Sequence, residues 1–256
     1  MSSSAPEVYC RQKAAPAGSS FYYSTLYYPA AVKRDLYALH ALHNEIEQII
    51  EECSDPGVAH MKLAWWSEEI QRLFTGTPRH PVSQELGSII SRHVITAADL
   101  SGLIRHYEQR INPVWSTAYQ DFLDHQLDGP GTVWKFTARI CGASNRQTIE
   151  IVSRLGCLFG MFYLLQNYRA MQPLQQEQQL AFIQHLIIDM EDCRRRLPET
   201  DRMAQTGALI MANIILRTCE EIQRGDHNLD RDRISLTPFR KLWIAWRTHK
   251  NVMRKQ

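Results

Sequence analysis

The chain has 256 residues, 29 basic and 27 acidic side chains for a formal net charge of +2, and 44% hydrophobic residues. That balance excludes a mainly disordered chain and a field strong enough to gather nucleic acid, and the length supports one large domain with a substantial core. Only 12 Gly and 11 Pro are present, so helix breakers are scarce and an all-α fold is favoured. Cys10, Cys53, Cys141, Cys157, Cys193 and Cys219 stand far apart with no Cys-x-x-Cys pair, which argues against a disulfide framework or zinc site and for a reducing compartment. The first residues lack the charged start and apolar run of a secretory signal, and no stretch reads as the ~20 apolar residues of a bilayer crossing. A cytoplasmic protein is expected, touching at most the surface of the inner membrane.

Taken in chain order, residues 1–18 are rich in Ser, Ala and Pro and are expected to be loose, with one helical domain over 19–256. Pro29 suits a first helical position, and 30–53 then runs without Gly or Pro. Asp55-Pro56 reads as an N-cap and first-turn proline, opening a second helix that closes near Gly76 and forms a hairpin with the first. Further helices are predicted at about 81–93, 97–111, 116–127, 131–141, 145–171, 176–197, 200–224 and 238–252. No strand alternation competes, so the expected architecture is a single-domain bundle of roughly ten helices.

Within 30–53, Leu39, Leu42, Ile46, Ile49 and Ile50 make an apolar face. A second stripe, Tyr37, His40, Asn44, Glu47 and Glu51, advances in steps of three and four and stacks on another face. Glu47 and Glu51 stand one turn apart. Like carboxylates at that spacing repel unless a cation sits between them, and Mg2+, which takes hard oxygen ligands, is one such cation. A solvated helix face also accounts for Glu45, Glu47, Glu51 and Glu52.

The running text decides between these. Ser19-Ser20-Phe21-Tyr22-Tyr23, Ala38-Leu39-His40-Ala41-Leu42, Glu47-Gln48-Ile49-Ile50-Glu51-Glu52, Asp55-Pro56, Lys62-Leu63-Ala64-Trp65-Trp66 and Gly76-Thr77-Pro78-Arg79-His80-Pro81-Val82 resemble, in order and spacing, the squalene/phytoene synthase family of head-to-head prenyltransferases. The similarity is close over 9–82 and weaker toward the C-terminus. It implies the isoprenoid synthase fold, a helical bundle around a central cavity with two facing acidic helices at its mouth. It also implies a substrate-binding set of Ser20, Phe21, Arg34, Tyr37, His40, Asn44, Gly160, Tyr163 and Asn167, and a metal site at Glu47 and Glu51.

The chain departs from the family pattern at the chemistry. Glu47 and Glu51 stand where the resemblance implies two Asp, and Asn44 stands where it implies a basic residue. Along Leu155-Gly156 and onward, Gly160, Tyr163, Asn167 and Met171 fall where Gln, Asn and two Asp are implied, with Gln166 in place of an Arg. No acid occurs between Glu150 and Glu177. Magnesium-bridged diphosphate needs carboxylates on both sides, and each lost electrostatic contact to a leaving group costs ~10²–10³ in rate. Trp134, in Gly129-Pro130-Gly131-Thr132-Val133-Trp134, stands near an implied Gly, so an indole can fill substrate volume. The Gln-rich stretch around Pro173 lacks the Gly-Arg-x-Tyr text of the loop that closes over diphosphate. The expectation is a catalytically degenerate member that binds an isoprenoid, another apolar ligand or a partner protein. The alternative is an active Mg2+-dependent prenyltransferase condensing isoprenyl diphosphates.

Three further features carry weaker signals. His40, His43 and Glu47, or His185 with Asp189, have metal-compatible spacing, although satisfied histidines explain them as well. Trp65 and Trp66 point about 100° apart, so one packs inward and the other lies on a flank. From Arg240 to Gln256 six Lys or Arg and no acid interleave with Leu242, Trp243, Ile244, Trp246 and Val252, which suits either a peripheral membrane contact or a last bundle helix with a solvated basic side.

Overall fold

Helix punctuation read from the sequence recurs in the structure. Asp55 accepts the Val58 amide at 3.0 Å with Pro56 in the first turn, satisfying one of the amides that a helix start leaves open. At the other end of that helix Gly76 takes φ +81°, its N–H bonds Leu73 O at 3.3 Å, and Thr77 N–H bonds Arg72 O at 2.9 Å, closing the helix through a left-handed glycine.

The computed structural model describes residues 5–113, 118–166, 176–225 and 234–254. Among them are twelve α-helices and no strand: α1 (Ala5–Ala14), α2 (Ser20–Ser24), α3 (Ala30–Glu52), α4 (Pro56–Phe74), α5 (Pro81–Arg92), α6 (Ala97–Gln109), α7 (Tyr119–His125), α8 (Thr132–Ile140), α9 (Arg146–Leu165), α10 (Gln176–Arg196), α11 (Thr206–Arg224) and α12 (Pro238–Met253). A π-helical turn, Leu127–Gly131, precedes α8, and a 3-10 turn, Glu199–Asp201, precedes α11.

The main departure lies in the described part of the N-terminal segment, from residue 5 on. Instead of a loose segment, α1 buries Cys10 and Ala14 and packs on α3 and α5. Lys13 Nζ lies 3.0 Å from Glu45, Tyr9 donates its hydroxyl to Glu45 at 2.5 Å, and Asn44 Nδ2 donates to the Lys13 carbonyl at 3.0 Å, covering one of the open carbonyls at the helix end.

In α3, Leu39, Leu42, Ile46 and Ile49 are buried as their spacing predicts. Each such side chain contributes about 1.5–3 kcal/mol. Trp66 is buried and Trp65 exposed, as adjacent helical positions require. Glu69, wholly buried on α4, accepts the Arg79 and His80 amides and the Arg72 guanidinium, each at 2.7 Å, and so fixes the turn into α5. α9 is, by length and composition, apolar enough to cross a bilayer, which the sequence reading did not anticipate. In the structure it buries Val152, Leu155, Leu158, Met161 and Leu164 among α8, α10, α11 and the π-helical turn.

The approach of α9 to that turn depends on two glycines. A Cβ on Gly160 would stand 2.5 Å from Pro130 Cγ, and one on Gly156 would stand 2.5 Å from Trp134 Cβ. Any side chain at either position would push the turn and α8 away from α9.

Candidate functional site

The polar stripe of α3 runs from the core to the surface. His40 is buried, with Nε2 2.8 Å from Thr137 Oγ1. Thr137 gives its one hydroxyl proton to the Val133 carbonyl at 3.0 Å, so it accepts from His40, which assigns the Nε2–H tautomer. Burial, reinforced by His43, holds the His40 imidazole well below its ordinary range, so it is neutral at physiological pH.

Two turns on, Glu47 is held by protein groups. Tyr107 of α6 donates its hydroxyl to Glu47 Oε1 at 3.1 Å, and Arg110 Nη1 lies 3.6 Å from the same oxygen. With its proton directed to Glu47, Tyr107 accepts from His43 Nε2 at 2.7 Å. Burial, then Glu47, pushes the Tyr107 phenol well up, so it stays a donor. The Arg110 guanidinium is itself buried and lies 5.1 Å from the Tyr107 ring centroid. A fixed cation therefore stands beside the first acid.

Glu51 is exposed at the rim and accepts a hydrogen bond from the Tyr163 hydroxyl of α9. The two helices that should carry facing acids thus meet through a carboxylate and a phenol. No acid occurs on α9 from Ile151 to Leu165, and among the described residues no group of three or more His, Cys, Asp or Glu could hold a metal ion.

Beneath the acids lies a ring cluster. Trp134, 5% exposed, meets Phe21 at 6.3 Å, His40 at 5.3 Å and Phe159 at 4.9 Å between centroids, each nearly perpendicular. Phe21 also lies against His40 at 3.9 Å. Edge-to-face packing of this kind adds ~0.5–1.5 kcal/mol per pair to the area buried. The resemblance implies a central cavity in the bundle, and these rings pack against one another within its core. Cavities of about 240 to 620 Å³ that open on the described residues are lined by other side chains.

The family model for squalene/phytoene synthase matches residues 14–177. The chain belongs to the squalene/phytoene synthase family.

Solved structures of similar fold include a dehydrosqualene synthase in complex with ligand, at 14% identity and TM-score 0.77 over 97% of both chains. Another is squalene synthase HpnC from Alicyclobacillus acidocaldarius, at 14% identity and TM-score 0.69 over 86% of this chain and 93% of that one. At such identity these show the isoprenoid synthase fold alone. Curated relatives are NADH dehydrogenase (ubiquinone) complex I assembly factor 6 of Mus musculus, 21% identical over 150 residues, and of Bos taurus, 22% identical over 157. The matches cover 58% and 61% of this chain and 45% and 47% of those proteins, so the chain spans about half the length of the curated relatives it matches.

Set on the family fold, the predicted substrate residues scatter. Phe21, His40, Gly160 and Tyr163 belong to the ring cluster, the α9 contact and the rim just described. Arg34 instead faces α5, forking onto Glu85 at 2.8 and 3.2 Å. Asn44 holds α1, and the Tyr37 hydroxyl stands 3.4 Å from Thr25 Oγ1 beside a groove shared with Tyr22 and Ala15. Ser20 opens α2 next to the capping residue Ser19, which accepts the Tyr22 amide at 3.1 Å. Asn167, Met171 and Pro173 lie outside the described residues. Asp189 bonds Arg154 and Tyr119, both at 3.1 Å, while His185 lies against the Tyr119 ring. Tyr107 and Arg110 were missed by the sequence reading. The available signal was faint, an aromatic in the last turn of α6 and a cation three residues on at its C-cap, and nothing in their spacing points to Glu47.

Proposed function

We propose that this squalene/phytoene synthase family member is catalytically silent and works by binding a partner protein during assembly of a larger complex. The observation that carries the reading is the state of the acidic pair. Glu47 is taken up by Arg110 and Tyr107, Glu51 by Tyr163, and the facing stretch of α9 has no carboxylate. Magnesium demands near-octahedral oxygen coordination, and a diphosphate needs several such ions held from two sides. The donor set does not fit that group, because a buried cation, Arg110, already stands beside Glu47 and the described stretch of α9 opposite offers no carboxylate.

Two further points support binding over catalysis. The ring cluster around Trp134 stands where the resemblance puts substrate, which favours a partner protein over an isoprenoid held inside the bundle. The curated relatives are named for assembly of respiratory complex I. To test the reading, the purified chain is incubated with Mg2+, NADPH and farnesyl or geranylgeranyl diphosphate. No diphosphate release above a protein-free control is expected, and solvent extraction of the protein should yield no isoprenoid. Turnover would restore the prenyltransferase reading, and a retained isoprenoid would replace the partner with a lipid ligand.

A further inference from the structure

The outer face of α12 carries a feature that neither the acidic pair nor the ring cluster uses. Phe239, Leu242, Trp243, Trp246 and Met253 are 77%, 45%, 46%, 48% and 56% exposed. At about 100° per residue they fall within one sector roughly 100° wide. Opposite them, Lys241, Ile244, Ala245, Thr248 and Val252 are buried against the bundle. The helix is thus apolar on two sides, and only the inner one is covered. A contiguous exposed stripe of large apolar side chains marks a surface that something else covers.

Charge says what that is. From Pro238 to Gln256 there are six Lys or Arg and no acid. Arg240 is tied to Glu221 at 2.7 Å, and Lys241 donates to the Gly18 carbonyl at 3.2 Å. Lys255 lies outside the described residues, and the remaining three, Arg247, Lys250 and Arg254, are exposed with no carboxylate partner among the described residues. The Arg247 guanidinium lies 5.0 Å from the Trp243 ring and Lys250 Nζ lies 4.7 Å from the Trp246 ring, so cations and ridge form one surface. On the flank where Arg254 stands, a groove of about 620 Å³ brings in Arg194, Arg202 and Arg195, the last paired with Asp192 at 3.3 Å, and its one lining acid is Glu191.

We propose that α12 lies on an anionic lipid bilayer, with the Phe239–Trp243–Trp246 ridge at headgroup depth and Arg247, Lys250 and Arg254 against lipid phosphates. Indole rings favour that boundary, and long cationic side chains reach along it to phosphate. A second copy of this chain is a poor occupant, because it would bring the same positive helix against this one.

The test uses the full chain with vesicles of phosphatidylcholine alone or with roughly one third phosphatidylglycerol, read by co-sedimentation and tryptophan emission. Binding to the anionic vesicles should exceed binding to the neutral ones at least tenfold, fall at high salt, and shift emission to the blue. Neutralising the three exposed cations together (R247Q, K250Q, R254Q) should lower partition about 100-fold. The pair W243A and W246A should lower it comparably, with unchanged circular dichroism because both rings are exposed. The proposal is overturned by equal partition to both vesicles, by no partition, or by variants that stay folded and bind as before. It is also overturned by an α12-dependent dimer or protein complex formed without vesicle binding. Diphosphate turnover would leave it standing, since nothing in it depends on the acidic pair.

Discussion

Removing the indole at the centre of the bundle is the sharpest perturbation of the ring cluster. Trp134→Ala deletes a side chain that is 5% exposed and packed against Phe21, His40 and Phe159. The site cannot collapse freely, because α9 already touches α8 and the π-helical turn through Gly156 and Gly160. A buried Trp→Ala change with little relaxation costs ~3–5 kcal/mol. For a chain of this size that lowers Tm by roughly 6–20 °C. The cavity left behind is apolar and ring-shaped, so free indole should enter it. At 100 times its Kd, a ligand that binds only the folded state restores about 2.7 kcal/mol. Thermal melts of wild type and variant with and without indole read both effects: a large loss, partly rescued, and no effect of indole on wild type. A loss under about 1 kcal/mol with no rescue would refute the reasoning, because the ring would then border open space.

Other predictions concern charge. Arg110→Met leaves Glu47 half-buried without its cation and should cost about 3 kcal/mol in urea unfolding, most of which the double variant with Glu47→Gln recovers; equal losses in single and double variants would contradict the pairing. Burial chiefly holds His40 and His106 well below their ordinary 6.5, so the unfolded chain takes up protons first as pH falls. Their stabilisation is full above about pH 6.5 and declines below it by up to ~1.4 kcal/mol per pH unit per histidine, so the urea midpoint should be lower at pH 5.5 than at 7.5. Burial alone would raise Glu69, but the His80 and Arg79 amides with Arg72 and Ser83 bring it below 4.5. It therefore stabilises the fold above that pH and the contribution is lost on further acidification; Glu69→Gln should cost ~1.5–3 kcal/mol at neutral pH and flatten the acid limb of the stability curve.

Much of the helical frame was legible because its signals are local. Asp55-Pro56, Gly76 and the apolar spacing of α3 each act within a turn or two, and the structure realises all three. The family was legible because several such segments recur in order. What escaped the sequence depends on long-range pairing. The first eighteen residues read as a loose Ser-, Ala- and Pro-rich start until Tyr9 and Lys13 of α1 meet Glu45 across more than thirty residues. At the site, the absent acids of α9 could be read from composition. That Tyr163 reaches Glu51, or that Arg110 stands beside Glu47, follows only from how α3 lies against α6 and α9. Arg34 and Asn44 show contacts of the same long-range kind: drawn by resemblance into a substrate site, they bond Glu85 of α5 and the Lys13 carbonyl of α1.

The central claim concerns the grip of the acidic pair on metal-bridged diphosphate, and calorimetric titration of the full chain with farnesyl diphosphate, with and without Mg2+, addresses it without reference to any partner. The account predicts no magnesium-dependent binding, in wild type or in Glu47→Gln. Micromolar binding that appears only with Mg2+ and disappears in Glu47→Gln or Glu51→Gln would contradict it.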